Sequence, residues 1–382
     1  MKRSTERILT THTGSLPRPK ALLPLIFARE RGEESDPSER LAATRQAVHD
    51  IVRAQLDAGI DVVNDGEQGK SSYATYVQNR LEGFEGEPVT PAPITDPDFP
   101  EFFAQTAAMR PGATNPLLRR PCNGPIRYRD VEELRSELDD FRTALGGVSP
   151  ADTFLSAASP GIASIFIPNE YYATHEQYIG ALADAMKTEY DAIHEAGFLL
   201  QIDAPDLALS RPRYFGHLGD DEFRRTIRTH VEAVNHATRD IPADRMRMHL
   251  CWGNYEGPHH RDVPLAQIVD IALEARPSGL SFEAANPRHE HEWKLWEETA
   301  LPEGKVLIPG VLDSTTNYIE HPELVAERLL RFAGAVGREN VIAGTDCGFS
   351  TGAGYLQVHP SITWAKFRAM ADGAAIASRE LW

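Results

Sequence analysis

Four side chains of this chain suit one divalent ion between them: His249, Cys251, Glu283 and Cys347. One imidazole, one carboxylate and two thiolates make a chemically sensible zinc set. His249 and Cys251 stand at i and i+2, so on an extended strand both face one side. Two thiolates and a carboxylate leave such a Zn²⁺ centre at about −1, a poor Lewis acid for making hydroxide. It can still bind an incoming thiol, promote loss of its proton near neutral pH, and leave the sulfur electron-rich enough to attack carbon. The chemistry expected is therefore thiol alkylation, not metal-assisted hydrolysis. Four protein ligands leave no open position, and Glu283 is the one expected to be labile. A lone cysteine is more often a small core residue, and Cys122 takes that reading. No Cys-x-x-Cys pattern occurs, so the four need a fold that gathers them.

Short apolar runs rich in β-branched residues recur at 8–11, 60–63, 153–156, 198–202, 246–250, 279–282, 306–308 and 340–343. Segments of helical periodicity lie between them. Asp36-Pro37-Ser38-Glu39 opens one, followed by Val48, Ile51, Val52 and Leu56 and stopped by Gly59. Thr174 with Gln177 opens another, Asp220 or Asp221 caps a third, His321-Pro322-Glu323 starts a fourth, and Ser361 is the expected cap of the last. Alternating strands and helices imply parallel pairing. Eight such units predict an α/β chain folded as a single (β/α)₈ TIM barrel over residues 1–382. An open nucleotide-binding sheet is disfavoured, because the Gly14 turn does not match G-x-G-x-x-G.

The rhythm breaks at about 80–150, a long insertion after the second strand; nine of the 27 prolines fall between Pro88 and Pro125. Two readings stay open for it, a lid over the barrel mouth or an arm between subunits of a homo-oligomer. Leu134, Leu138 and Phe141 predict a short helix near its end. In barrel enzymes the reactive groups sit at the C-terminal ends of strands. Those ends read His12; Asn64, Asp65 and Glu67; Asp203; His249 and Cys251; Glu283; Asp313; and Asp346 and Cys347.

The charge balance is acidic, 39 Lys+Arg against 56 Asp+Glu for a net −17, which opposes a nucleic-acid partner. No apolar run is long enough for a membrane span, and the basic start Met1-Lys2-Arg3 has no signal-peptide core behind it. Three cysteines cannot build a disulfide framework, so a reducing cytoplasm is expected.

At these residues the sequence resembles the catalytic barrel of the cobalamin-independent methionine synthase superfamily. Within it, the closer likeness is to epoxyalkane:coenzyme M transferase and its relatives. The likeness runs from Thr10 to Trp382 and rests on Thr10-Thr11-His12-Thr13-Gly14-Ser15-Leu16-Pro17-Arg18, Asn64-Asp65-Gly66-Glu67, Gln201-Ile202-Asp203-Ala204-Pro205, His249-Leu250-Cys251-Trp252-Gly253, Phe282-Glu283-Ala284-Ala285-Asn286 and Thr345-Asp346-Cys347-Gly348. It implies His249, Cys251, Glu283 and Cys347 as zinc ligands, and Gly14, Ser15, Glu67 and Asp203 as residues holding the thiol substrate, with His12 orienting it.

Two departures bear on the alkyl donor. The segment Ser156–Ile162 has no aromatic where methionine synthases stack a folate, and no histidine follows the seventh strand, leaving Asp313 or His359 as candidate proton donors. The expected function is a zinc-dependent alkyltransferase joining a small thiol to a methyl donor or an epoxide, the latter as in epoxyalkane:coenzyme M transferase. A short methionine synthase acting on homocysteine is the alternative. A metal-free porphyrinogen-decarboxylase-like barrel, or a non-catalytic binding barrel, is the reading of another class.

Overall fold

A computed structural model describes residues 1–91, 95–109 and 118–382. Six parallel strands run in chain order around a curled sheet: β1 (Val62–Val63), β2 (Asp152–Ala158), β3 (Leu199–Asp203), β4 (Met246–Leu250), β5 (Gly279–Phe282) and β6 (Val306–Pro309). Segments 9–11 and 341–344 supply the two remaining staves. Thr10 pairs with Ala343, Leu307 with Val341 and Gly310 with Gly344, all parallel. The Val62 amide donates to Thr10 at 3.0 Å, which joins the first stave to β1 and closes the ring. The expected barrel is present. Its first and last staves are held by isolated pairs, and the weakly patterned third run forms the longest strand, seven residues.

The helices follow the local signals with two corrections. Thr174 accepts the Gln177 amide and Gln177 returns a bond to Ala173, so the helix His175–Glu195 starts in a capping box. His321 caps the helix Pro322–Val336 as read. Gly219, not Asp220 or Asp221, is the N-cap of Asp220–Ala237; its extended backbone ends the preceding loop, and the acids sit in the first turn against the helix dipole. His359, not Ser361, caps Pro360–Leu381.

Inside the barrel the floor is apolar, with Leu9, Val306, Ile308 and Ile342 in one cluster, Val62, Phe154 and Leu199 in another, and Met1 against both. Above it lies Arg247 of β4, its guanidinium over the Phe154 ring at 4.1 Å and donating to Thr11 Oγ1 and the His12 carbonyl. Burial lowers its pKa to about 9, with Asp203 opposing the shift.

Of the 80–150 segment, the described part holds a two-residue antiparallel pair (Leu81–Glu82 with Arg127–Tyr128) and the helices Pro100–Met109 and Glu132–Ala144. The latter buries Leu134, Leu138 and Phe141 and joins the outer helical layer, through Arg45–Asp140 at 2.6 Å and Phe141 against Phe198 at 4.9 Å. Asp98 reaches the loop after β4, pairing with Arg261 at 2.6 Å and His260 at 2.9 Å. Among the described residues no helix is long and apolar enough to cross a membrane.

Candidate metal and thiol site

His249 and Cys251 stand at the end of β4 and just beyond it, and Cys347 lies three residues past the last stave. Their ligand atoms all lie within 4.8 Å of one another, and all three side chains are buried. The two sulfurs are 3.9 Å apart. That is far beyond a disulfide and close to the separation of about 3.8 Å that two sulfurs at 2.3 Å from a tetrahedral zinc would have. The Nδ1 of His249 bonds to Ser281 Oγ at 3.1 Å, while its Nε2 is buried with no partner. An orphaned ring nitrogen facing two thiols is the arrangement a soft divalent metal completes, with Ser281 fixing the ring from behind. Burial, reinforced by Arg247, lowers the His249 pKa to about 3, so the ring is neutral as a ligand must be.

Glu283 does not join that trio. It directly follows β5, and both of its oxygens are engaged: Trp252 N–H donates to Oε1 at 2.8 Å and Asn286 Nδ2 to Oε2 at 2.7 Å. Burial raises its pKa well above the usual range, and Cys251 and Asp346 push the same way. Asp346 in turn accepts the amides of Ala284, Ala285 and Asn286, each at 2.8 Å, tying the Glu283 loop to the strand end that carries Cys347.

On the other side of the mouth Glu67 and Asp203 form a second acidic pair. The turn Asn64-Asp65-Gly66-Glu67 is wound by Asn64 accepting the Gly66 amide and Asp65 the Glu67 amide. It leaves Glu67 at φ 55°, left-handed for a residue that has a side chain. Its Oε2 is buried and unpartnered. Burial, then proximity to Glu67, raises Asp203 well above the normal range; burial does the same to Glu67 against the pull of Lys70 and Arg18. Gly14 makes room for this pair. At φ 143°, a Cβ there would lie 2.5 Å from Ser156 Oγ and 2.8 Å from Glu67 Oε1. Ser15 follows, its hydroxyl so close to Gly348 that a Cβ on that glycine would overlap it. The Gly14-Ser15 turn thus spans from the carboxylate pair to the Cys347 strand end.

The remaining candidates lie behind or outside the site. His12 spends both ring nitrogens internally, Nε2 on Gln55 at 2.8 Å and Nδ1 accepting the Gly14 amide at 3.2 Å, which ties it to the turn that carries Gly14. Burial holds its pKa near about 3. Asp313 caps its own turn through Thr315 and Thr316, and His359 is exposed at a helix start, so neither presents a proton to the mouth. Arg18 is committed to Ser350 and the Glu67 carbonyl, and Arg288 to the His260 carbonyl, so neither is free to clamp propionates.

The sequence reading missed an aromatic wall. Tyr73 is raised well above its normal pKa by burial and by Cys251 and Cys347, so its phenol lies within electrostatic reach of both sulfurs. Phe166 lies 6.0 Å from it and Tyr214 6.0 Å further on. Arg119 covers Phe166 at 4.8 Å and Arg213 covers Tyr255 at 4.4 Å. These rings come from successive strand-end loops, a signal present in the Arg211-Pro212-Arg213-Tyr214 run that follows the Asp203 motif.

No family model matches the chain. A methionine synthase of Thermococcus kodakarensis is 26% identical over 373 residues, covering 97% of this chain and 94% of the relative. One from Saccharolobus solfataricus is 25% identical over 376 residues, covering 97% and 95%. Over nearly its whole length, then, the chain is similar to methionine synthases. Among solved structures, a B12-independent methionine synthase from Shewanella sp. W3-18-1, in complex with selenomethionine, shares the fold with TM-score 0.72 at 18% identity over 98% of this chain and 99% of that one. A putative vitamin-B12 independent methionine synthase from Listeria monocytogenes does so with TM-score 0.66 at 17% identity over the same shares. These likenesses agree with the closed ring of parallel strands.

Proposed function

We propose that this protein is a methyltransferase acting on the sulfur of a small amino thiol of the homocysteine kind, with zinc held by His249, Cys251 and Cys347 and with Glu283 as a reserve ligand. One observation carries the reading: a metal-ready trio with an orphaned His249 Nε2 and a buried carboxylate pair with an orphaned Glu67 Oε2 open onto one mouth, joined by Gly14 and Ser15. A molecule with a thiol at one end and an ammonium at the other satisfies both.

When bound, the zinc supplies positive charge that favours the thiolate form of the acceptor. The chain's own residues do the rest. Glu67 and Asp203 receive the ammonium, whose charge favours the ionised form of two carboxylates that burial pushes the other way. Gly14 leaves the space, and the Ser15 hydroxyl donates to the acceptor's carboxylate. The sulfur's electron pair forms the new S–CH₃ bond. The donor heteroatom keeps the pair of the broken bond and takes up a proton, while the thiol proton leaves to solvent. Methyl transfer is favoured over epoxide opening on two grounds: the relatives carry methionine synthase names, and the carboxylate pair suits an amino acid better than a sulfonate.

The test is metal content and sulfur ligation. Protein purified without added metal should hold about one zinc per chain, and Cys251→Ser and Cys347→Ser should lose it. Cobalt-substituted protein should show a sulfur-to-metal charge-transfer band that grows on adding homocysteine, and the gene should rescue a methionine auxotroph. Full zinc in both serine variants, or no spectral response to any thiol, would sink the assignment.

A further inference from the structure

Two loops carry the sulfurs, one after β4 and one after the last stave, and the Asn254 side chain spans them. Asn254 stands three residues past Cys251. Its Nδ2 donates at 2.7 Å to the carbonyl of Gly348, the residue after Cys347. Its Oδ1 accepts the hydroxyl of Ser314, from the loop after β6, at 3.0 Å. These partners fix which way the amide points, because a carbonyl oxygen can only accept and so must face the NH₂. The main chain is held as well: the Asn254 carbonyl accepts Gln357 Nε2 at 2.7 Å and Tyr355 Oη at 3.3 Å.

The bridge lands where the backbone has little room to give. Gly253 turns the chain at φ 114°, with its amide on the Cys251 sulfur, and so brings Asn254 back toward the Cys347 loop. A Cβ on Gly348 would overlap Ser15 Oγ, and the next amide, of Phe349, donates to the Ser15 carbonyl at 2.9 Å. From its own side Cys347 is fixed by Thr345 Oγ1, which donates to the Cys347 carbonyl at 3.0 Å. Glu283 and Asp346 join the same loops by a longer route, through the end of β5. Asn254 joins them directly, and the sulfurs it brackets are 3.9 Å apart, about the spacing that a tetrahedral zinc requires.

We propose that Asn254 is a positioning residue of the metal centre: its amide sets the gap between Cys251 and Cys347 before an ion arrives, so that the two thiols act as a preformed clamp. The inference rests on the metal part of the methyltransferase reading and adds a residue that acts through its neighbours. Ser314 keeps the amide turned, and the bond to Gly348 does the spacing. An aspartate, of the same size, would lose the donor and set a carboxylate against a carbonyl.

The experiment measures zinc affinity by competition with a chromophoric chelator for wild type, Asn254→Ala, Asn254→Asp and Ser314→Ala. Urea unfolding of the zinc-free proteins and the visible bands of their cobalt forms are recorded alongside. Asn254→Ala and Asn254→Asp should bind zinc about 10- to 100-fold more weakly, with fainter cobalt absorption as the tetrahedral site loosens. Ser314→Ala leaves the Gly348 bond in place and should bind zinc close to wild type. The zinc-free proteins should unfold at nearly the same urea concentration, so that the loss reads as spacing and not as a weakened fold. The proposal is overturned if Asn254→Asp holds zinc as tightly as wild type, if Ser314→Ala loses as much affinity as Asn254→Ala, or if the loss in Asn254→Ala is matched by an equal fall in zinc-free stability. Wild type that binds no zinc would overturn this inference and the methyltransferase reading together. Zinc bound normally with no spectral response to a thiol would sink that reading alone and leave the spacing role of Asn254 standing.

Discussion

Two pairs of buried acids face each other across the barrel mouth, and their surroundings differ. Glu283 and Asp346 are wrapped in donors: Trp252 and Asn286 on the first, three successive backbone amides on the second. Glu67 and Asp203 are not. One Glu67 oxygen is orphaned, and the donor given to Asp203 is the Gln201 amide at 2.7 Å. The first pair fastens loops together beside the His249, Cys251 and Cys347 cluster; the second keeps an oxygen without a donor. A carboxylate whose oxygens are satisfied from within contributes to folding, and one left hungry contributes to binding.

That contrast can be broken in four ways. The largest effect is expected for the double variant Glu67→Gln/Asp203→Asn. Its kcat/KM for homocysteine should fall at least about 1000-fold while its denaturation midpoint stays level or rises, because two buried acids that desolvation disfavours in their charged form are removed. Asp346→Asn should do the reverse, costing about 2–4 kcal/mol in urea unfolding as three amides lose an anionic acceptor. A third check uses His289, which stacks on Trp252 at 3.9 Å behind the metal end. Burial opposes its protonation, but Asp262 and Glu292 win and raise its pKa to about 9. A histidine raised in the folded state stabilises fully below its unfolded pKa and loses that contribution as pH rises through the folded value. Unfolding free energy should therefore decline by up to about 3 kcal/mol between about pH 6.5 and 9, and His289→Asn should flatten the slope. The smallest effect belongs to Asp98→Ala, which removes a half-exposed pair with Arg261 and should cost under about 1 kcal/mol. A larger loss would make the stretch around Asp98 integral to the fold of the loop after β4.

The barrel was legible because period and punctuation agree: Thr174 with Gln177, His321-Pro322 and the glycine stops all stand where helices begin and end. Gly219 and His359 displaced the expected caps because extended backbone at the preceding residue, not the best side chain, decides where a helix starts. Three metal-directed residues were readable from strand ends, since a parallel barrel turns distant positions into neighbours. Glu283 was read from its strand end in the same way, and it does stand there. Its present partners, a backbone amide and Asn286, belong to loop geometry that spacing does not encode. The partner of His12 was hidden for a related reason: the Gln55 that bonds it lies on a helix 43 positions away. The aromatic wall escaped notice because its rings come one per loop from four different loops, with no local pattern to mark them.

Arg247 draws a last consequence. From the strand that bears His249 it grips Thr11 and the His12 carbonyl, the stem of the turn that carries Gly14 and Ser15. Both ends of the pocket are thus referenced to one rigid strut inside the barrel, and their separation does not depend on how the outer loops move. The proposed acceptor would be measured against a fixed gauge rather than against a movable loop.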